Sequence, residues 1–253
     1  MRLKRFLTIV FIFVCLIGVC YYSYNVITWK IHIDDNKKIK NEIDKIVNIE
    51  PIYEVNEEKE ESQEAVKYNI NFDVLKEINP DTVAYIKLMN TNIDYAVVKG
   101  SDNEYYLRHN FEKKWNVNGW IFSDYHNKFD GTDKNIVVFG HNTKDGSMFG
   151  TLKNVLKKEW LEENKNHTLV LVTPTNTYNY QIFSTYEYAA ENYYITTQFN
   201  SDEEYDEFLK KIKERSLYDF GVTLDKNDRI LTLSSCTNDG KKRVVVHAKM
   251  IDD

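Results

Sequence analysis

Three textures of apolar and polar positions follow one another along this chain. The first is an unbroken apolar run. No charged residue occurs from Phe6 to Trp29, and Phe6 to Tyr22 is its most apolar part. At 1.5 Å per residue a helix of this length crosses roughly 30 Å of hydrocarbon. Arg2, Lys4 and Arg5 precede the run, which assigns the short N-terminal side to the cytoplasm and everything after Lys30 to the outside. Tyr21, Tyr22, Tyr24 and Trp29 fit an aromatic belt at the exit. A cleavable signal peptide is the competing reading, but no alanine precedes Ala65, so an A-x-A-like cleavage site is missing. A lipid anchor at Cys20 is disfavoured by Val19 before it. The expectation is an uncleaved transmembrane helix over residues 1–29.

The second texture, residues 30–66, is polar and charge-rich. Ile39, Ile43, Ile46 and Val47 recur at helical spacing, which predicts a short amphipathic helix ended by Pro51. This segment reads as a stalk, with disorder as the alternative for 51–66. The third texture, residues 67–253, belongs to one compact domain. Runs rich in β-branched and aromatic residues occupy 83–88, 93–98, 119–123, 134–140, 168–173, 177–187, 229–235 and 243–251. Eight such strands with few helices between them predict a mainly β fold, a closed or nearly closed barrel. One helix is announced by the capping box Ser201-Asp202-Glu203-Glu204, with Tyr205, Phe208, Leu209 and Ile212 facing the core. A second is expected from near Ser147, on the stripe Met148, Leu152, Val155 and Leu156.

Composition changes this picture mainly by exclusion. A net charge of -6 argues against a nucleic-acid partner, which needs a basic surface to displace counterions. No P-loop or G-x-G-x-x-G pattern supports a nucleotide cofactor, and no His/Cys spacing predicts a metal site.

Cysteine usage is more informative. Cys15 and Cys20 lie in the apolar run, which leaves Cys236 as the lone thiol of the outer part, unable to form an internal disulfide. It follows the apolar run Ile230–Leu233 and two serines, and the turn Asn238-Asp239-Gly240 comes next. A thiol at a strand end is rigidly held and open to attack a carbonyl, whereas an inert buried cysteine is the alternative. A nucleophilic thiol needs a basic partner. Among the histidines, His32 in the stalk near the membrane and His167 after the polar turn Asn164-Lys165-Asn166 are expected to be solvated, and His126 lies in another polar stretch. His109 reads as a satisfied ring, and His247 shares the outer face of the last strand. His141 follows Ile136-Val137-Val138-Phe139-Gly140 at a strand exit, which makes it the first candidate and His109 the second. Arg243, seven residues past Cys236, is an electrostatic clamp or an ordinary surface arginine.

At these residues the chain resembles the sortases. Thr232-Leu233-Ser234-Ser235-Cys236 is similar to their TLxTC signature, with Ser235 in place of the second threonine. Phe139-Gly140-His141-Asn142 resembles the segment of their catalytic histidine, and Arg243 completes the order His, Cys, Arg. Asn79–Ile86, Asn103–Phe111 and the capped helix from Ser201 resemble class B in particular. The resemblance implies an eight-stranded sortase barrel in which Cys236, His141 and Arg243 are catalytic, with no cofactor and no metal. It maps a substrate groove onto Asn103, Leu107, Phe139, Tyr194, Ile195 and Ser234. The implied partners are secreted proteins bearing a sorting motif, a peptidoglycan precursor or cross-bridge amine, and the membrane of a Gram-positive cell. The implied reaction is transpeptidation at the cell wall. A thiol endopeptidase releasing substrate to water and a non-catalytic tethered binding module are the alternatives.

Overall fold

The computed structural model describes residues 2–53, 64–236 and 241–251. A single helix, α1 (Arg2–Ile46), contains the apolar run and continues far past it. Its first part, Leu3–Trp29, is largely exposed and is the one helix among the described residues long and apolar enough to cross a membrane. Its second part packs on the domain through Ile33, Asn36, Ile39 and Ile43, all buried. The expected stalk helix is therefore the end of α1 rather than a separate element. It stops before Pro51, which lies in β1 (Val47–Tyr53); β1 pairs antiparallel with β2 (Glu64–Ile70). That hairpin was not anticipated, because Val47 also fits the helical stripe of Ile39, Ile43 and Ile46 and the charged stretch between the two strands reads as disorder. The remaining stalk positions, 54–63, lie outside the described residues, as does the expected turn at Asn238-Asp239-Gly240.

Next comes α2 (Phe72–Ile78), capped where the Asn71 side chain accepts from the Val74 N–H. The eight expected strands all form: β3 (Thr82–Leu88), β4 (Asp94–Val98), β5 (Phe122–Ser123), β6 (Asn135–Gly140), β7 (Thr168–Val172), β8 (Thr177–Ala189), β9 (Ile230–Cys236) and β10 (Lys242–Ile251). They close into a barrel in the order β10-β8-β7-β3-β4-β5-β6-β9. Closure pairs every strand and leaves no edge. Two neighbour pairs are parallel, β4 with β5 and β6 with β9.

The barrel interior takes alternate residues of each strand, for example Leu231 and Leu233 of β9 and Val244, Val246 and Ala248 of β10. A second apolar layer lies outside the wall. There α4 (Asp202–Glu214) lays Tyr205, Phe208, Leu209 and Ile212 against Phe183, Tyr186, Ile230 and Val245. The capping box forms in modified shape. Ser201 accepts from the Glu204 N–H, while the Glu204 carboxylate reaches back to the Asn200 N–H.

The helix expected from Ser147 is replaced by a turn. Met148 has a positive φ of 50°, which breaks helical geometry. A 3-10 stretch at Leu152–Leu156 and the single turn α3 (Lys158–Leu161) follow. Met148, Leu152 and Val155 are still buried, so the stripe marked a core contact but not a continuous helix.

Candidate active site

β6 and β9 run side by side in parallel, with Phe139 opposite Ser234 and Gly140 opposite Ser235. One step beyond these pairs the chain reaches His141 on one strand and Cys236 on the other. β10 returns antiparallel to β9 with Arg243 opposite Cys236. Positions 141, 236 and 243 thus meet at one end of three consecutive barrel strands. Val244 and Val246 point into the lumen, while Val245 belongs to the outer layer. The same alternation keeps position 243 on the outer face.

Gly140 lets the β6 end pass through a crowded place. A Cβ there would stand 2.5 Å from Ile121 Cδ1 and 2.6 Å from Phe149 Cγ. Beyond it, the His141 carbonyl accepts from the N–H groups of Thr143 and Phe149, which folds the following loop back. The ring of His141 is half-buried, and its Nε2 lies 2.9 Å from the Leu107 carbonyl. A carbonyl only accepts, so Nε2 carries the proton and Nδ1 is the nitrogen able to take one. Burial pushes this imidazole below its ordinary value of 6.5. The Leu107 carbonyl opposes that shift, and the guanidinium groups of Arg108 and Arg243 add to it. The downward direction favours the neutral ring, whose Nδ1 is then open to accept a proton. Arg243 is half-buried and donates from Nη1 to the Lys242 carbonyl.

The expected groove residues divide into two groups. Tyr186 of β8, Val245 of β10, Ser234 of β9 and Phe139 of β6 are successive partners across the sheet. Tyr194, in the 3-10 turn Tyr193–Ile195, packs edge-on against Tyr186 with ring centroids 6.4 Å apart. Ile195 joins the same outer layer, and the Thr196 carbonyl accepts from Asn135 Nδ2 at the start of β6. Phe139 and Ser234 thus stand side by side on one row, Tyr194 packs at its Tyr186 end, and the row of Tyr188, Arg243 and Cys236 lies next to it. Asn103 and Leu107 lie in the segment between β4 and β5. Asn103 is bound to the turn after β5, donating to Asp124 and accepting from the Tyr125 N–H. Leu107 meets the histidine through its main chain.

The other histidines are accounted for elsewhere. His109 is satisfied as expected, with Nδ1 2.7 Å from the Tyr105 carbonyl and its ring stacked on Tyr105. His126 pairs with Asp124 at 2.8 Å. Two expectations of solvated rings need correction. His167 is buried, with Nε2 at the Leu161 carbonyl and Phe220 against its ring. His32 is half-buried and accepts from the Val117 N–H. His167 follows a polar turn and His32 lies between Ile31 and Ile33 on the far part of α1, and in both cases only tertiary packing covers the ring. His247 is on the outer face as expected, yet it is completely buried there, against the rings of Phe183 and Tyr186. It is held at 2.8 Å by both Thr232 Oγ1 and Tyr186 OH, and burial lowers its pKa to about 3.

Sequence reasoning missed Arg108 beside His141 and Arg215 behind the row. Arg215 pairs with Glu191 at 2.6 Å and lies 4.0 Å over the ring of Tyr188 and 5.4 Å over that of Tyr193. Neither was legible, since nothing local to either arginine says which distant residue it will stand beside. Among the described residues no cluster of His, Cys, Asp and Glu could hold a metal ion.

A closed eight-stranded barrel of this topology, with a cysteine ending one of its strands, defines the class: a cysteine transpeptidase. Residues 86–251 match the family model described as Sortase domain, and the chain belongs to the sortase family, on its class B branch. It is 33% identical over 259 aligned positions to Sortase B of Staphylococcus aureus, covering 99% of both chains. The crystal structure of sortase B from Bacillus anthracis in complex with AAEK1 superposes with a TM-score of 0.73 at 35% identity, covering 88% of this chain and 99% of that one. The X-ray structure of Clostridium perfringens sortase B gives a TM-score of 0.68 at 40% identity, covering 72% and 100%.

Proposed function

We propose that this sortase is a membrane-anchored sorting enzyme in which Cys236 is the nucleophile, His141 the acid–base partner and Arg243 the electrostatic clamp. Residues 1–29 serve as cytoplasmic tip and anchor, 30–66 link anchor to enzyme, and 67–253 carry the chemistry outside the membrane. The substrate is a secreted protein with a C-terminal sorting motif. Neutral His141 takes the thiol proton as the Cys236 sulfur attacks the threonyl carbonyl, and the same proton passes to the departing amine as the C–N bond breaks. The product is a thioester acyl-enzyme. A peptidoglycan amine then attacks it and forms a new amide, with the amine proton received by His141 and returned to the thiolate. Arg243 offers fixed donors to the developing oxyanion.

The observation that supports this reading best is the pairing register. Gly140 opposite Ser235 and Arg243 opposite Cys236 bring the three positions to one barrel end from strands far apart in sequence. The row of Phe139 and Ser234 beside it, with Tyr194 at its Tyr186 end, suits an extended peptide, and Ile195, Asn103 and Leu107 are the residues we propose to complete the groove.

The test uses the full chain with a library of threonine-containing sorting peptides, followed by mass spectrometry with and without a glycine oligomer. Expected are a thioester adduct on Cys236, absent in Cys236→Ala, and an amide product once the amine is added. Adduct-free cleavage, or hydrolysis that added amine never diverts, contradicts the reading.

A further inference from the structure

The helix that carries the apolar run is hydrogen-bonded to the segment that orients His141. Asn36 of α1 is 2% exposed, in register with the apolar stripe of Ile33, Ile39 and Ile43. Its Nδ2 donates to the Gly119 carbonyl at 3.1 Å, and its Oδ1 accepts from Asn116 Nδ2 at 2.9 Å. Asn116 is fully buried, and its Nδ2 also lies 2.9 Å from the His32 carbonyl. His32 Nδ1 accepts from the Val117 N–H at 3.2 Å. Four hydrogen bonds therefore fasten residues 116–119 to two positions of α1 one turn apart.

The same residues 116–120 are fastened on their other side to residues 106–108. Asn116 N–H donates to the Arg108 carbonyl at 2.8 Å, and Trp120 N–H to the Tyr106 carbonyl at 3.0 Å. Arg108 Nη1 returns a bond to the Val117 carbonyl. Between these ties Gly119, at φ +54°, is pressed so closely on Leu107 that a Cβ would stand 2.8 Å from the Leu107 carbonyl oxygen. That oxygen is the acceptor for His141 Nε2.

We infer that Asn36 and His32 of α1 are positioning residues for His141, acting through residues 116–119 and the Leu107 carbonyl. The inference rests on the reading of His141 as the acid–base partner. The carbonyl decides which ring nitrogen holds the proton, so a displaced carbonyl frees the ring to adopt the other tautomer or another rotation. The helix leaving the membrane is thereby part of the site's support and not only a tether. A misplacement of about 1 Å at a reacting group is sufficient to slow chemistry by up to about a hundredfold.

The experiment uses the full chain, labelled with ¹⁵N-histidine, in lipid nanodiscs. Long-range ¹⁵N–¹H correlation reads the His141 tautomer, with the resonance assigned by His141→Gln. The wild-type chain is expected to show the Nε2–H form. Asn36→Ala is expected to mix in the Nδ1–H form and to lower kcat by about tenfold with KM changed less than about twofold. His32→Ala removes one hydrogen bond and is expected to act in the same direction, with His32→Asn restoring both tautomer and kcat. A folded Asn36→Ala with unchanged tautomer, or a shifted tautomer with unchanged kcat, overturns the inference. If Asn36→Ala does not fold, the His32→Ala and His32→Asn pair decides by the same two readouts. Transpeptidation that survives in His141→Gln refutes the underlying reading instead, and the tautomer measurement separates the two failures.

Discussion

His141 Nε2 lies 2.9 Å from the carbonyl of Leu107, which is 34 positions earlier in the chain. This contact fixes the ring's tautomer, and beside it stand two cations, Arg108 and Arg243, that disfavour the imidazolium.

The first prediction concerns pH. Arg108→Gln removes a positive charge that holds the His141 pKa down, so that pKa rises. The acid limb of kcat/KM, where protonated His141 no longer accepts the thiol proton, then moves to higher pH. A pH profile of peptide cleavage by wild type and variant checks the direction. A limb that stays in place or moves down contradicts the electrostatic account.

Arg243 is expected to contribute through its fixed fork of donors and not only through charge. Arg243→Lys keeps the charge and loses the geometry, and should lower kcat/KM by roughly a hundredfold. Single-turnover thioester formation is the measurement. A lysine variant near wild-type activity would reduce Arg243 to a general positive field.

Arg215 holds the segment that carries Tyr194 and Ile195. Its side chain is 11% exposed, ion-paired to Glu191 and stacked on Tyr188. Arg215→Ala should raise KM for the sorting peptide severalfold while changing kcat less, because the row beside Ser234 loses its backing. The variant should also lose about 2 kcal/mol of stability, since removal strands a partly buried Glu191. Steady-state kinetics and urea unfolding test the two effects separately.

Gly140→Ala should be costly. The added methyl would collide with Ile121 and Phe149 at 2.5 and 2.6 Å, and overpacking of a tight core costs about 1–3 kcal/mol. Thermal melts should show the loss, at about 2–4 °C per kcal/mol for a domain of this size. Activity should fall as well, because His141 is the next residue.

Buried His247 gives the fold an acid sensitivity. Its folded pKa of about 3 lies below the ordinary 6.5 of an unfolded histidine. Below about pH 6.5 the unfolded chain therefore binds a proton that the native state refuses. Its contribution is fully present above that pH and is lost as pH falls toward 3, at up to about 1.4 kcal/mol per pH unit. His247→Gln should be less stable at pH 7, through a weakened bridge between Thr232 and Tyr186, and show a shallower loss on acidification. Urea unfolding across this pH range reads both.

The sequence by itself determined what local periodicity and residue chemistry encode. Runs rich in β-branched and aromatic residues, set between turn signals, identified the eight barrel strands, because such side chains suit a pleated surface. Alternation could not, since β4 and β7 are buried along nearly their whole length. The unbroken run from Phe6 to Trp29 marked the long helix, and the buried face of α4 was legible from Tyr205, Phe208, Leu209 and Ile212. Strand-end position made Cys236 and His141 candidates before any pairing was known, whereas Arg243 became one only through the resemblance to a known family. Tertiary structure alone decided the register that puts position 236 opposite 243 and Gly140 opposite Ser235, since pairing is a property of two segments and not of either one. It also decided which polar residues are buried. His167 and Asn36 stand in polar or mixed sequence and were covered only when distant elements packed on them. The hold of Leu107 on His141 had no local signal, because a main-chain carbonyl is the same in every residue and only its position in space gives it a role.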